Sequence, residues 1–175
     1  MKRYIELCLG VAMVMLLSAC RKETTELYPD KSRFYLNDSP QLTPNGLFQI
    51  NDTTGSNFTL FFYSSGIVYD VPADAFAGSG PWLAMNISAS IFKPGMQGQL
   101  FSVDNMEEGI IDINGGVISA SYDFASGTGT VANIQSGRLT LWKYRDLYKI
   151  NYRITLEDNS VVEGAFFDGI IVAYK

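Results

Sequence analysis

Residues 82–92, Trp82-Leu83-Ala84-Met85-Asn86-Ile87-Ser88-Ala89-Ser90-Ile91-Phe92, decide the fold class. Leu83, Met85, Ile87, Ala89 and Ile91 share one parity, and Asn86, Ser88 and Ser90 the other. A two-residue period sets one row against a core and the other in water, as in an antiparallel sheet. Lys93-Pro94-Gly95 ends the run, and Gln99 to Val103 begins another short strand.

Upstream, Asn57-Phe58-Thr59-Leu60-Phe61-Phe62-Tyr63 is aromatic and β-prone and ends at the turn cluster Ser64-Ser65-Gly66. Ile67-Val68-Tyr69-Asp70-Val71 is expected to pair back as the second arm of that hairpin. Downstream, six strands are expected: Gly116 to Phe124, Thr128 to Ile134, Leu139 to Tyr144, Tyr148 to Leu156, Val161 to Phe167 and Ile170 to Tyr174. Ser126-Gly127, Ser136-Gly137, Arg145-Asp146, Asp158-Asn159 and Asp168-Gly169 separate them with turn chemistry. Helix is confined to single turns at Ala73 to Phe76 or Asn105 to Glu108. The expected fold is all-β: a meander of hairpins forming an antiparallel β-sandwich or a lipocalin-like β-barrel.

The 175 residues suit one domain, and 47% hydrophobic with 18% charged residues supplies enough apolar surface to order the chain. A net charge of -5 argues against nucleic acid, whose phosphates call for clustered lysine and arginine. The absence of histidine removes the commonest general base and the commonest metal ligand.

Lys2 and Arg3 precede an almost wholly apolar run from Leu7 to Leu17. Eleven helical residues reach only about 16 Å, too short for a hydrocarbon core of about 30 Å. The segment therefore reads as a signal peptide. Leu17-Ser18-Ala19-Cys20 resembles the lipobox of bacterial lipoproteins. That resemblance implies cleavage before Cys20, attachment of diacylglycerol to its thiol and acylation of the new amino group. Several acyl chains give stable membrane anchoring where one does not. The division is then 1–19 signal peptide, 20–31 lipid-anchored tether and 32–175 a single β-rich domain. Arg21 to Glu26 lacks an aspartate beside Cys20, which favours the outer membrane and leaves periplasmic or surface display open.

Ser126-Gly127-Thr128-Gly129-Thr130-Val131, Tyr148-Lys149-Ile150, Glu157-Asp158-Asn159 and Gly164-Ala165-Phe166 resemble the closing strands of small lipoproteins common in the Bacteroides group. The resemblance implies an envelope address more than a chemistry.

Chemistry has few carriers. Without histidine, and with Cys8 removed and Cys20 acylated, nucleophilic triads and zinc, copper or haem sites on protein ligands are not expected. No cofactor is expected. Asp104, Glu107, Glu108 and Asp112 are a weak calcium alternative, since calcium takes six to eight oxygens, but they read first as an acidic, solvated loop. The same carboxylates in a glycosidase pair would need a set separation that nothing in the sequence fixes, so the chain reads as no enzyme. Trp142, Tyr144 and Trp82 are candidate sugar-stacking residues; filling a β core is the competing role for each. Asp52-Thr53-Thr54 resembles a Bacteroides-group O-glycosylation motif, which would place a glycan on Thr53.

The leading expectation is a membrane-anchored, non-enzymatic β-domain binding a carbohydrate or another envelope component. One alternative is an assembly subunit that adds a strand to a neighbouring protein, with Trp82 to Phe92 as the pairing edge. Another is a barrel holding a small apolar ligand.

Overall fold

Thirteen strands and no helix make up the described part of this computed structural model, which comprises residues 32–52, 57–88, 109–144 and 146–174. The expected signal peptide, Cys20, the expected tether, Thr53, Ala89 to Phe92, the strand expected at Gln99 to Val103, the turn expected at Asn105 to Glu108, and Asp104, Glu107 and Glu108 lie outside the described residues. The described residues fall in one compact unit.

The strands are β1 (Arg33–Leu36), β2 (Ser39–Leu42), β3 (Asn45–Ile50), β4 (Asn57–Tyr63), β5 (Ile67–Asp70), β6 (Ala75–Ser88), β7 (Gly109–Ile113), β8 (Gly115–Asp123), β9 (Thr128–Gly129), β10 (Ala132–Tyr144), β11 (Leu147–Leu156), β12 (Val161–Asp168) and β13 (Ile171–Tyr174). They form one large, mostly antiparallel sheet in the order β13-β3-β4-β6-β8-β10-β11-β12-β1-β2, which does not close. β7 flanks β10, β5 flanks β6 and β9 flanks β8. The all-β expectation therefore holds.

One face of the sheet makes the core. Phe34, Phe48, Phe62, Leu83, Ile118, Leu139, Ile150 and Phe166 are almost fully buried, one from each of β1, β3, β4, β6, β8, β10, β11 and β12. Burial of each side chain of this size stabilises by about 1.5–3 kcal/mol. The sheet folds back on itself, because Phe62 of β4 stacks on Phe166 of β12 at 4.6 Å and 11°. Tyr152 of β11 lies against the same Phe62 ring at 5.5 Å.

The opposite face is split. The β5–β6 hairpin covers β3 and β4, burying Leu47, Tyr63, Ile67, Tyr69 and Ala173. Gly78, at φ 89, lets β6 leave the main sheet, and a Cβ there would overlap the Gly66 carbonyl oxygen. Farther along β4 and β6 the face is polar: Asn51 donates to Thr59, whose hydroxyl donates to Asn86.

Five elements differ from expectation, the first being the strand expected at Thr128 to Ile134, which breaks at Thr130 and Val131 into β9 and the start of β10. Ile67 to Asp70 pairs with β6, not β4; β4 is already flanked by β3 and β6, so β5 has no free edge there. Ala73 does not begin a helical turn that runs to Phe76, because Ala75 and Phe76 are already in β6. Ser136-Gly137 is no turn: β10 runs through it, with a bulge between Ile134 and Ser136. The extra residue inverts the side-chain parity, so buried Ile134 is followed by buried Leu139 and Leu141, which imitates two strands with a break. Last, β13 lies parallel to β3, outside any meander.

Three early strands, β1, β2 and β3, precede the first strand expected from the sequence. β1 and β2 join through Asn37 and Asp38, both at positive φ (51° and 60°), the two-residue turn that suits right-twisted strands. β2 ends the sheet path, where Pro40 is tolerated because an edge strand has an unpaired flank.

Candidate functional site

Among the described residues, the outer face of β7, β10, β11, β12 and β1 brings the most chemistry together. Leu139 and Leu141 point into the core, so the intervening Arg138, Thr140 and Trp142 take the outer side. In β11 the buried Tyr148, Ile150, Tyr152 and Ile154 leave Lys149, Asn151 and Arg153 outside by the same period. Register then sets rows across the strands. Asp112, Arg138, Arg153 and Glu163 are successive cross-strand partners, as are Ile110, Thr140, Asn151, Ala165 and Arg33.

A shallow groove of about 900 Å³ crosses these rows, with Asp112, Arg138, Thr140, Asn151, Arg153 and Glu163 among its lining. Arg138 Nε donates to Asp112 Oδ1 at 3.2 Å, and Arg153 Nη1 donates to Glu163 Oε1 at 2.7 Å. All four side chains are more than 60% exposed, so each ion pair contributes no more than about 1 kcal/mol. These contacts orient the guanidiniums and leave other N–H groups of each free of the paired carboxylate.

Trp142 continues the Arg138–Thr140 column. Its ring is half-buried, and Lys149 Nζ lies 4.9 Å from the ring centroid. At an exposed site this cation–π contact contributes about 0.5–1 kcal/mol, little enough for a ligand to displace the lysine. At the β1 flank the Arg33 guanidinium covers Tyr35 at 5.4 Å.

Trp82 belongs elsewhere. It stacks on Phe61 at 6.3 Å and 11° and meets Phe124 edge-on at 5.2 Å, half-buried beneath the β5–β6 hairpin. Tyr144 ends β10 opposite Leu147, and its side chain lies outside the described residues. Of the four acidic residues considered for calcium, Asp112 alone is described, and β7–β10 register commits it to Arg138. Among the described residues no three His, Cys, Asp or Glu side chains form a metal-ligand set.

A second polar junction pins the hairpin. The Tyr69 hydroxyl and Gln49 Nε2 both donate to Asp74 Oδ1, each at 2.6 Å. Burial, then the Asp74 carboxylate, pushes the Tyr69 hydroxyl up to about 12. Burial and the nearby Asp146 do the same for Tyr148, also to about 12.

Sequence reading missed Arg138, Arg153 and Glu163. The alternations Arg138-Leu139-Thr140-Leu141-Trp142 and Lys149-Ile150-Asn151-Tyr152-Arg153 contain the signal for their shared orientation. Register, which no single strand reveals, makes the two columns neighbours.

Comparison of the chain with protein-family models, curated proteins and solved structures finds no match.

Proposed function

We propose that this protein is a lipid-anchored, non-catalytic β-module of the cell envelope that binds carbohydrate on the outer face of β7, β10, β11 and β12. The observation carrying this reading is the alignment of Trp142 with Thr140 and Asn151 on one solvent-facing sheet surface. An indole offers an apolar plane to the C–H face of a sugar ring, while neighbouring hydroxyl and amide groups accept and donate to its hydroxyls. Sheet-borne side chains are held more rigidly than loop-borne ones, which lowers the ordering cost of binding. The anchor rests on Leu17-Ser18-Ala19-Cys20, with the outer membrane as the proposed location. We further propose that the folded-back sheet belongs among barrel-like or sandwich architectures.

The experiment is glycan-array binding by the full chain in detergent, wild type against Trp142→Ala. The expected result is retention of one glycan class by the wild type and a loss of ten-fold or more in the variant. Equal binding by both proteins would remove Trp142 and this face from the reading.

Strand addition is the second reading. Trp82 to Asn86 is bonded on both flanks, by β4 and β8, and offers no edge there, while Ile87 and Ser88 pair with β4. Its place is taken by β2 and β13, the two ends of the sheet path. β13 exposes Ile171 and Tyr174, suitable for an added strand from an envelope partner.

A further inference from the structure

We infer that the groove on this face selects carboxylate-bearing glycans, chains rich in uronic acid, over neutral ones; the inference rests on the carbohydrate reading above. Arg138 and Arg153 are direct cross-strand partners. Like charges placed opposite one another on a sheet repel, so the pair is an unfavourable arrangement that an anion between them would relieve. Each arginine is tethered on its far side, by Asp112 or by Glu163, which gives the row the order minus, plus, plus, minus. At about 4.8 Å per strand this row spans about 14 Å across the sheet. The tethers orient both guanidiniums at little energetic cost to a competitor, since all four side chains are mostly exposed.

Charge distribution supports the same ligand. Among the described side chains of these two rows and of the adjoining Trp142–Lys149–Phe167 row, Arg33, Arg138, Lys149 and Arg153 face only Asp112 and Glu163, whereas the whole chain carries -5. A positive field on one face of an acidic protein draws an acidic polymer to that face and away from the rest. The planar guanidinium fork matches the two oxygens of a carboxylate. Thr140 and Asn151, in the adjoining row, supply hydrogen bonds to ring hydroxyls. Trp142, along the same column, supplies a stacking surface for the next sugar.

The test measures binding of the full chain in detergent to polygalacturonate, alginate and hyaluronan. Controls are fully methyl-esterified polygalacturonate, dextran and dextran sulfate. The expected result is retention of at least one uronate polymer, weakened ten-fold or more by esterification where galacturonate is the ligand, and weakened by raising salt. Arg138→Gln with Arg153→Gln should lose ten-fold or more, and Asp112→Asn or Glu163→Gln should hold or gain affinity. Binding only to neutral polymers, or insensitivity to the double glutamine variant, overturns the uronate inference and leaves the carbohydrate reading standing. Dextran sulfate bound as well as the uronates overturns it in favour of a general anion patch. No binding to any polymer overturns both.

Discussion

Phe62 and Phe166 lie face to face, 4.6 Å between ring centroids, and join β4 to β12 across the core. Both rings are fully buried, and Tyr152 extends the stack. Removing either ring opens a cavity that surrounding strands cannot fill without losing their own pairing. Phe62→Ala or Phe166→Ala should each cost about 3–5 kcal/mol, read as a lower midpoint in urea unfolding. Because the two rings share one contact, the double variant should cost less than the sum of the singles.

Gly116 marks the crossing of β8 against β6. Its φ is 135°, and a Cβ would overlap the Ala84 carbonyl oxygen. Gly116→Ala should therefore destabilise by about 3 kcal/mol, whereas Gly127→Ala, which meets open space, should cost less despite its own φ of 66°. Thermal unfolding of the two variants checks the contrast.

Much of this fold is legible from side-chain alternation. β4 matches its expected limits at both ends through its aromatic and β-branched run, although both its faces are largely covered, and β8, β11 and β12 match within a residue, the last two because one parity is buried and the other more exposed. Failures arise where the physical cause lies in a partner strand. The Gln135 bulge inverts parity inside one strand and so resembles a turn. β5 looks like the return arm of β4 until one sees that β3 and β6 occupy both of that strand's edges. The candidate face was half legible: Trp142 could be singled out as an aromatic, but the Arg138–Arg153 adjacency depends on β10–β11 register.

Alkaline pH should loosen the molecule. Tyr69 and Tyr148 sit at about 12, and burial raises Tyr152 as well, each from an ordinary 10. Between those limits the unfolded chain binds fewer protons than the folded one, so stability falls as pH rises. The tyrosine contribution is complete below about pH 10 and is lost progressively through about pH 12. Urea midpoints at pH 8, 10 and 11.5 should decline in that order, and Tyr69→Phe should flatten the decline.

The proposed lipid anchor has its own check. Cys20→Ala should shift the protein from the membrane pellet to the soluble fraction, and mass spectrometry of the wild type should find acyl chains at that residue. Membrane attachment unchanged by the substitution would overturn the anchor.

β1 pairs with β12, and β3 carries β13 on its outer flank. Strands near the start of the domain are thus completed by strands near its end, the long-range pairing that slows β folding. A ribosome still holding residues 171–174 would be holding the last described strand of the sheet. Until those residues are released, β3 keeps an unsatisfied edge.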